Sequence, residues 1–550
     1  MIFDFIDILY KGTQYCKDDY IRFANQYINC LHHKKVVVLM RRSPRQLFAL
    51  LMLLERNCTY VLVDPSYPIK RIEYIIIQTN PDYVMTDKNF IDNSISKSMT
   101  MYDDSIAYNL FTSGSTGDPK GVEIKKNSLL NFIDGISEII DFSPGKRIAC
   151  LTMASFDIFF LESIMALYKG LTVVLASEDE QRNPALMANL IKDNMIDMVQ
   201  MTPSRMQLLL NYDKDLSCLQ NVKEIMIGGE PFPFYLLRTL QVKTNAKIYN
   251  MYGPTETTIW STVSDLTYKD RIDIGVPIKN TEIYIINESL SILPNGQAGE
   301  ICIAGKGLAK GYVGREDLTE EKFIYLPEKP SIRVYRTGDM GRYLSDGNLE
   351  YLGRIDNQVK IRGHRIELEE IESKFNQLDG IKQSIVTINN INDTNMILQA
   401  FYTSDITIHQ KVISDYLSSQ LPDYMIPAVY KHVENFIQTD NGKIDRKSIF
   451  KCVEINTSDS ELNDYFLSGL SIIQKKAYDV IISAIDSKIA NVTLDSELTS
   501  VGIDSVTFID IVMALEAEFR FEFDDEMMLI TVFPTIKSII EYVESEAILA

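Results

Sequence analysis

A chain of 550 residues has room for two to four domains at about 100–200 residues each, and 46% hydrophobic residues is an ordinary supply for globular cores. A net charge of −20 argues against nucleic acid as a main partner, because phosphate binding needs basic patches. The longest apolar run, residues 47–54, is eight residues against the ~20 of a spanning helix, so no membrane partner is expected. The first residues, MIFDFIDILYK, carry Asp4 and Asp7 and lack the basic start of a signal peptide. Seven cysteines without a CxxC pair fit reduced thiols, and with the five histidines they form no zinc-type spacing. A cytoplasmic location is the expectation.

In chain order, VVVL (36–39) reads as a buried strand, followed by an apolar helix at 45–54 that Ser43 can cap and Pro44 can start. YVLV (60–63), DYVMT (82–86), SIAYNLF (105–111), LTVVL (171–175), DMVQM (197–201) and EIMIG (224–228) read as further buried strands. Helical stretches lie between most of them, an α/β pattern with much parallel sheet. Residues 272–352 are denser in short strands and Gly turns, which predicts a β-rich subdomain. Residues 451–470 are polar, acidic and weakly periodic, and read as a linker. Beyond them, apolar positions recur at helical spacing through 472–490, 505–519 and 536–549, with Phe533, Pro534 and Thr535 marking a stop and restart. Residues 471–550 hold five Lys/Arg against fifteen Asp/Glu, half of the whole excess charge, and predict a separate acidic module. The predicted fold is multidomain: a large α/β core (1–354), a small α/β subdomain (355–450), the linker (451–470) and an all-α helical bundle (471–550).

The segment LFTSGSTGDPKGV (110–122) is the most informative stretch. Thr112, Ser113, Gly114, Ser115, Thr116 and Gly117 lead into Pro119, Lys120 and Gly121 directly after a buried-type strand. Glycines let the backbone turn tightly, and successive N–H groups and hydroxyls can wrap an anion. The G-x-x-x-x-G-K-[ST] spacing of a Walker A loop is absent. A flexible Ser/Gly linker is the plainer alternative, and linkers rarely follow a buried strand so directly.

This loop resembles the phosphate loop of adenylate-forming enzymes. With VDPSYPIKRIEYII (63–76), FDIFFLE (156–162), NMYGPTE (250–256), GEICIAGKGLAKGY (299–312), YRTGD (335–339), GRIDNQVKIRGHRIELEEIE (353–372), LPDYMIP (421–427) and NGKIDRK (441–447), the chain over roughly residues 10–450 resembles the adenylation domains of nonribosomal peptide synthetases. The resemblance implies ATP and Mg²⁺ as cofactors and an amino acid as substrate. It makes Asp339 the carboxylate that accepts from the ribose hydroxyls, with Arg354 reaching the same region; an ionised carboxylate is acceptor-only and suits a vicinal diol. Tyr252 would stack on adenine with Asn250 near its amino group, while Gly253 and Thr255 shape the same nucleotide-binding turn. Glu256 would ligate Mg²⁺, a hard cation that wants oxygen ligands. Lys443 would be the catalytic cation that offsets repulsion between carboxylate and phosphate and stabilises the transition state, with Lys120 assisting. Asp356 would be the hinge on which the small subdomain swings.

The resemblance also makes Asp157 the partner of the substrate's ammonium group, a role an N-cap Asp can hold as well. The specificity pocket it implies is Asp157, Ile158, Leu161, Gln200, Met226, Gly228, Met251, Ile259, Trp260 and Lys443, a pattern like that of glycine-activating domains. One Trp with Met, Leu and Gln fills the volume a side chain would occupy and excludes larger residues by overpacking. SVGIDSVTF (500–508) resembles the attachment site of carrier proteins and makes Ser505 the anchor of a 4'-phosphopantetheine arm, with Val506 where Leu is usual.

Together these imply an enzyme that activates an amino acid, best read as glycine, as aminoacyl-AMP and loads it as a thioester on its own carrier. A phosphopantetheinyl transferase and an MbtH-type helper protein are implied partners, and, since no HHxxxDG or G-x-S-x-G motif is present, either condensation or tailoring enzymes act in trans or the chain is cut from a larger protein. An aryl-acid or other small-acid ligase, and a non-catalytic scaffold with a degenerate ATP site, are the rival readings.

Overall fold

The computed structural model describes residues 2–27, 31–92, 103–114, 117–361, 363–392, 395–404, 406–433, 435–436, 446, 471–484, 494, 496, 498–501, 503, 505–519, 521, 523–524, 527 and 530–549. The chain divides into two compact units. One comprises Met1–Gly114 with Asp118–Glu367, the other Ser115–Gly117 with Leu368–Ala550.

The first unit holds a nine-stranded sheet in the order Val276–Pro277, Thr262–Asp265, Lys247–Tyr252, Glu224–Gly228, Met198–Met201, Arg147–Cys150, Thr172–Leu175, Asp7–Tyr10, Thr13–Cys16. The strands from Lys247–Tyr252 through Asp7–Tyr10 all run parallel. A six-stranded sheet in the order Phe90–Asp92, Tyr83–Thr86, Lys35–Leu39, Thr59–Leu62, Ile106–Thr112, Lys120–Lys125 is parallel at its centre and antiparallel at its edges. Apolar runs such as VVV at 36–38 and the wholly buried Thr59–Leu62 are what strands covered on both faces require. Helix Pro44–Glu55 begins as its sequence dictates: the Ser43 side chain accepts from Gln46 N, and Pro44 sits in the first turn. The β-rich stretch is a five-stranded antiparallel sheet built on the long strand Lys329–Tyr343.

In the second unit a three-stranded sheet joins Ile381–Asn392, Asn395–Ser404 and Val429–His432, with helices Leu368–Phe375 and Gln410–Ser418. Its C-terminal part is helical, as the periodicity predicts: Ile472–Ser483, Ser505–Phe519 and Ile536–Leu549. They enclose one core that includes Phe508, Leu515, Phe533 and Ile540. No described helix is long and apolar enough to cross a membrane.

Candidate functional site

Three adjacent parallel strands, Met198–Met201, Glu224–Gly228 and Lys247–Tyr252, bring Gln200, Met226, Gly228, Met251 and Tyr252 to neighbouring places. Gln200 pairs in register with Met226, and Gly228 with Met251. The carboxyl ends of parallel strands are where open α/β sheets receive ligands. After Tyr252 the chain turns through Gly253 and a short 3-10 segment, Thr255–Thr257. Thr258 and Ile259 then take left-handed backbone, with φ of 67° and 70°. Ile259 is β-branched, and such a residue holds φ > 0 only when its surroundings impose it. The Thr258 hydroxyl donating to Gly307 O (2.7 Å) and Ser261 N donating to Tyr252 O (2.8 Å) are two of those constraints.

This turn delivers Trp260 into the core, 2% exposed. Its indole N–H donates to Gln200 Oε1 at 3.4 Å. The tip of the ring lies so close to Gly228 that a Cβ there would stand 2.7 Å from Trp260 Cη2 and 2.6 Å from Met251 O. Glycine is therefore required at 228 by space. Ile158, Leu161, Met226, Met251 and Ile259 are buried in the same core as Trp260. Asp157 stands before them, its Oδ1 accepting from Ile158 N at 2.8 Å. Burial pushes the Asp157 carboxyl up to about 6, against hydrogen bonds from the Thr255 hydroxyl and Ile158 N.

The Ser/Thr/Gly loop joins two paired strands, since Thr112 is opposite Lys120. Ser113 Oγ donates to Arg365 O (2.7 Å), and Thr112 Oγ1 is buried with no hydrogen-bond partner among the described residues. Ser115 and Thr116 lie outside the described residues. Gly117 has φ of 90°. At Gly114 a Cβ would meet Asp118 O at 2.1 Å, so the loop doubles back on itself at that point. Lys120 is buried, 3.8 Å from Glu256 Oε1 and 3.7 Å from Glu367 Oε1, and lies 5.4 Å from the centre of the Tyr312 ring. Burial together with the nearby Arg365 lowers its ammonium to about 8.

Glu256 is fully buried. It accepts from Tyr312 OH (2.8 Å) on Oε1 and from Arg365 Nη1 (2.8 Å) on Oε2. Burial would raise its carboxyl, but Arg365 and Lys120 override it and hold Glu256 far below the usual carboxylate range. Among the described residues no group of three or more His, Cys, Asp or Glu could enclose a metal. One ionised carboxylate sharing a magnesium ion with substrate phosphate oxygens fits that donor set, whereas a cage made of protein alone does not. For Glu256 Oε2 to face a cation, Arg365 has to leave it. The motifs GLAKGY and GHRIELEE carried Tyr312, Arg365 and Glu367 in plain sight, yet their sequence offered no sign that the first two converge on Glu256 and the third on Lys120.

Asp339, Tyr252, Arg354 and Asp356 do come together. Tyr252 OH donates to Asp339 Oδ2 (2.6 Å), and Arg354 Nη1 donates to Asp339 Oδ1 (3.0 Å) from the paired strand. Arg354 Nε reaches Asp356 Oδ1 at 2.8 Å. Burial works against the charge on Asp356, and Arg354 overrides it, holding that carboxyl below its ordinary value. Burial and the Asp339 carboxylate push the Tyr252 hydroxyl well up, so it remains a donor. Asn250 Nδ2 donates to Asp273 O at 2.8 Å. Lys443 lies outside the described residues. Ser505 opens the 15-residue helix Ser505–Phe519 in the second unit.

Residues 22–313 match the family model "AMP-binding enzyme", and residues 479–543, which include Ser505, match "Phosphopantetheine attachment site". Tyrocidine synthase 3 of Brevibacillus parabrevis is 37% identical over 441 residues, covering 75% of this chain and 7% of its own length. The chain thus spans less than half the length of curated relatives such as this one. The structure of holo-PA1221, described as a nonribosomal peptide synthetase protein with adenylation and PCP domains, shares the fold over 100% of this chain and 96% of its own, with a TM-score of 0.80 and 21% identity. Holo-AB3403, a four-domain nonribosomal peptide synthetase bound to AMP and glycine, is 26% identical with a TM-score of 0.58, covering 98% of this chain and 41% of its own.

Proposed function

We propose, from the premise that this chain belongs to the AMP-binding enzyme family and carries a phosphopantetheine attachment domain, that it activates glycine with ATP and passes it to its own carrier. The observation that carries the substrate assignment is the filling of the pocket by Trp260, packed against a residue that has no room for a Cβ. A filled site rejects larger side chains sterically, which is the easier direction of discrimination. The glycine bound in the structurally similar four-domain synthetase agrees with this reading.

In this mechanism the Asp157 carboxylate pairs with the substrate ammonium, a cation that favours its charged form. The substrate carboxylate attacks the α-phosphorus of ATP, and pyrophosphate departs. The loop of Thr112 to Gly117 cradles phosphate oxygens, with Lys120 supplying positive charge beside it. Asp339 accepts from the ribose diol, oriented by Tyr252 and Arg354, and the Tyr252 ring offers a face to adenine. Asn250, Gly253 and Thr255 shape that turn. Glu256 would hold Mg²⁺, which supplies charge neutralisation at the phosphates. Lys443 provides the transition-state cation, and Asp356 is the hinge between the half-reactions. Ser505 anchors the phosphopantetheine arm, whose thiol attacks the acyl carbon of the aminoacyl-AMP, forming the thioester as the acyl–phosphate bond breaks and AMP departs.

We assign the domain limits 1–354, 355–450, 451–470 and 471–550 to the two adenylation subdomains, linker and carrier. The implied partners are a phosphopantetheinyl transferase, condensation or tailoring enzymes, and an MbtH-type helper, in the cytoplasm. Amino-acid-dependent ATP–pyrophosphate exchange, run with and without a helper, tests the reading. Exchange driven by aryl acids alone would favour the aryl-acid ligase, and the absence of exchange with every acid tested would favour a scaffold.

A further inference from the structure

Residues 158–168 form one helical run in which a π turn, Leu161–Met165, separates two short α segments, Ile158–Phe160 and Ala166–Tyr168. A π turn inside an α-helix inserts a residue and resets the direction of every side chain before it relative to those after it. Something must hold such a turn in place. The second residue of the turn, Glu162, is 0% exposed. Its Oε2 accepts from Leu151 N and Thr152 N, both at 2.8 Å, and its Oε1 accepts from Thr152 Oγ1 at 2.5 Å. These donors sit just beyond the strand Arg147–Cys150.

The same two peptides are held on their carbonyl side. Arg42 Nη2 donates to Cys150 O, the carbonyl of the peptide that carries Leu151 N, and Arg205 Nη1 (2.8 Å) and Gln181 Nε2 (2.6 Å) donate to Leu151 O, the carbonyl of the peptide that carries Thr152 N. Arg42 also lies 5.5 Å from the centre of the Phe159 ring, on the helix itself. The negative charge of Glu162 is therefore met through polarised peptide groups, with two guanidinium groups behind them. Such charge-assisted bonds to backbone N–H groups are the strong, geometrically exacting kind.

We infer that Glu162 is a positioning residue for the amino-acid pocket. Its carboxylate clamps the π turn, which begins at Leu161, to the end of the sheet and so sets the rotation of the preceding turn, which carries Asp157 and Ile158. Asp157 lies five residues away, about 7.5 Å along a helix axis. A small rotation at Glu162 moves the ammonium-binding carboxylate and the Ile158 pocket wall together, and misplacing a positioned group by about 1 Å can cost ~10²-fold. The inference rests on the amino-acid-activating reading for its kinetic consequence. Its structural consequence is independent, because the pocket holds the chain's single tryptophan.

The test compares the full chain with Glu162→Ala, Glu162→Gln and Thr152→Val. E162A is expected to raise KM for glycine at least tenfold in pyrophosphate exchange while KM for ATP moves less than threefold. E162Q keeps an acceptor oxygen and should restore most of the loss. T152V removes one of the three bonds and should shift the glycine KM in the same direction by less, which keeps the inference testable if E162A does not fold. Without any ligand, Trp260 emission should shift to the red in E162A and T152V and stay at the wild-type position in E162Q. Unchanged glycine KM in the folded variants, or equal changes in both KM values, would overturn the inference. Wild-type protein that exchanges with no amino acid would refute the functional reading instead, and unchanged Trp260 emission in the variants would then overturn the clamp on its own.

Discussion

Trp260→Leu is the most discriminating change in the pocket. Truncating a buried Trp to alanine costs ~3–5 kcal/mol, and leucine refills part of the space, so about 2–4 kcal/mol is expected here. Part of that is the loss of the indole donor to Gln200, whose amide is 1% exposed. An acceptor left unpaired in such a place costs ~1–3 kcal/mol, and the 3.4 Å length of this bond puts the value at the low end. What the protein loses in stability it gains in room. The ring tip stands where it would crowd even a methyl on Gly228, so removing it vacates space at the end of the strand. One methylene in an apolar pocket is worth ~1–3 kcal/mol of discrimination. The ratio of kcat/KM for alanine to that for glycine should therefore rise by about tenfold or more, with serine following. The assay is pyrophosphate exchange with each amino acid, below the variant's own thermal transition. A folded variant with the wild-type alanine-to-glycine ratio would refute the claim that Trp260 sets substrate size.

Lys443→Ala should cut adenylation by at least ~10²-fold, the usual cost of one transition-state contact, while isothermal calorimetry still detects ATP binding. Ser505→Ala should leave adenylation intact and abolish loading; after treatment with a phosphopantetheinyl transferase and CoA, intact-mass measurement should find one arm on the wild type and none on the variant. The Asp157 carboxyl, raised from 3.8 to about 6 by burial, must be charged to meet an ammonium group, so KM for glycine should climb as pH falls below about 6, by up to tenfold per unit. Asp157→Asn should flatten that profile. The sign for folding is opposite: in the free protein the native state holds this proton more tightly, so the residue's contribution to stability falls as pH rises from 3.8 to about 6.

Local signals were legible and long-range ones were not. The strand Glu224–Gly228 and the helices Ser505–Phe519 and Ile536–Leu549 stand where apolar periodicity puts them, and Ser43 caps the helix it precedes. Asp7–Tyr10 gave no such signal. Its four residues DILY become a strand only by pairing in parallel with Thr172–Leu175, more than 160 residues away. Nothing in FDIFFLESI distinguishes a π turn from an α turn, because the choice is made by the peptides at Leu151 and Thr152 that receive Glu162. The occupation of Glu256 by Arg365 spans 109 residues and depends on two buried charges meeting, which no spacing rule encodes.

The central claim is that this chain activates glycine, and a competition exchange assay measures it most directly. The full chain, with a helper protein supplied, is given Mg·ATP, labelled pyrophosphate and each proteinogenic amino acid or aryl acid, singly and in pairs with glycine. The account predicts the highest exchange with glycine, alanine next, and little from larger acids. Preference for a large or aromatic amino acid over glycine would contradict it, because the account rests on Trp260 and Met251 filling the space beside Gly228.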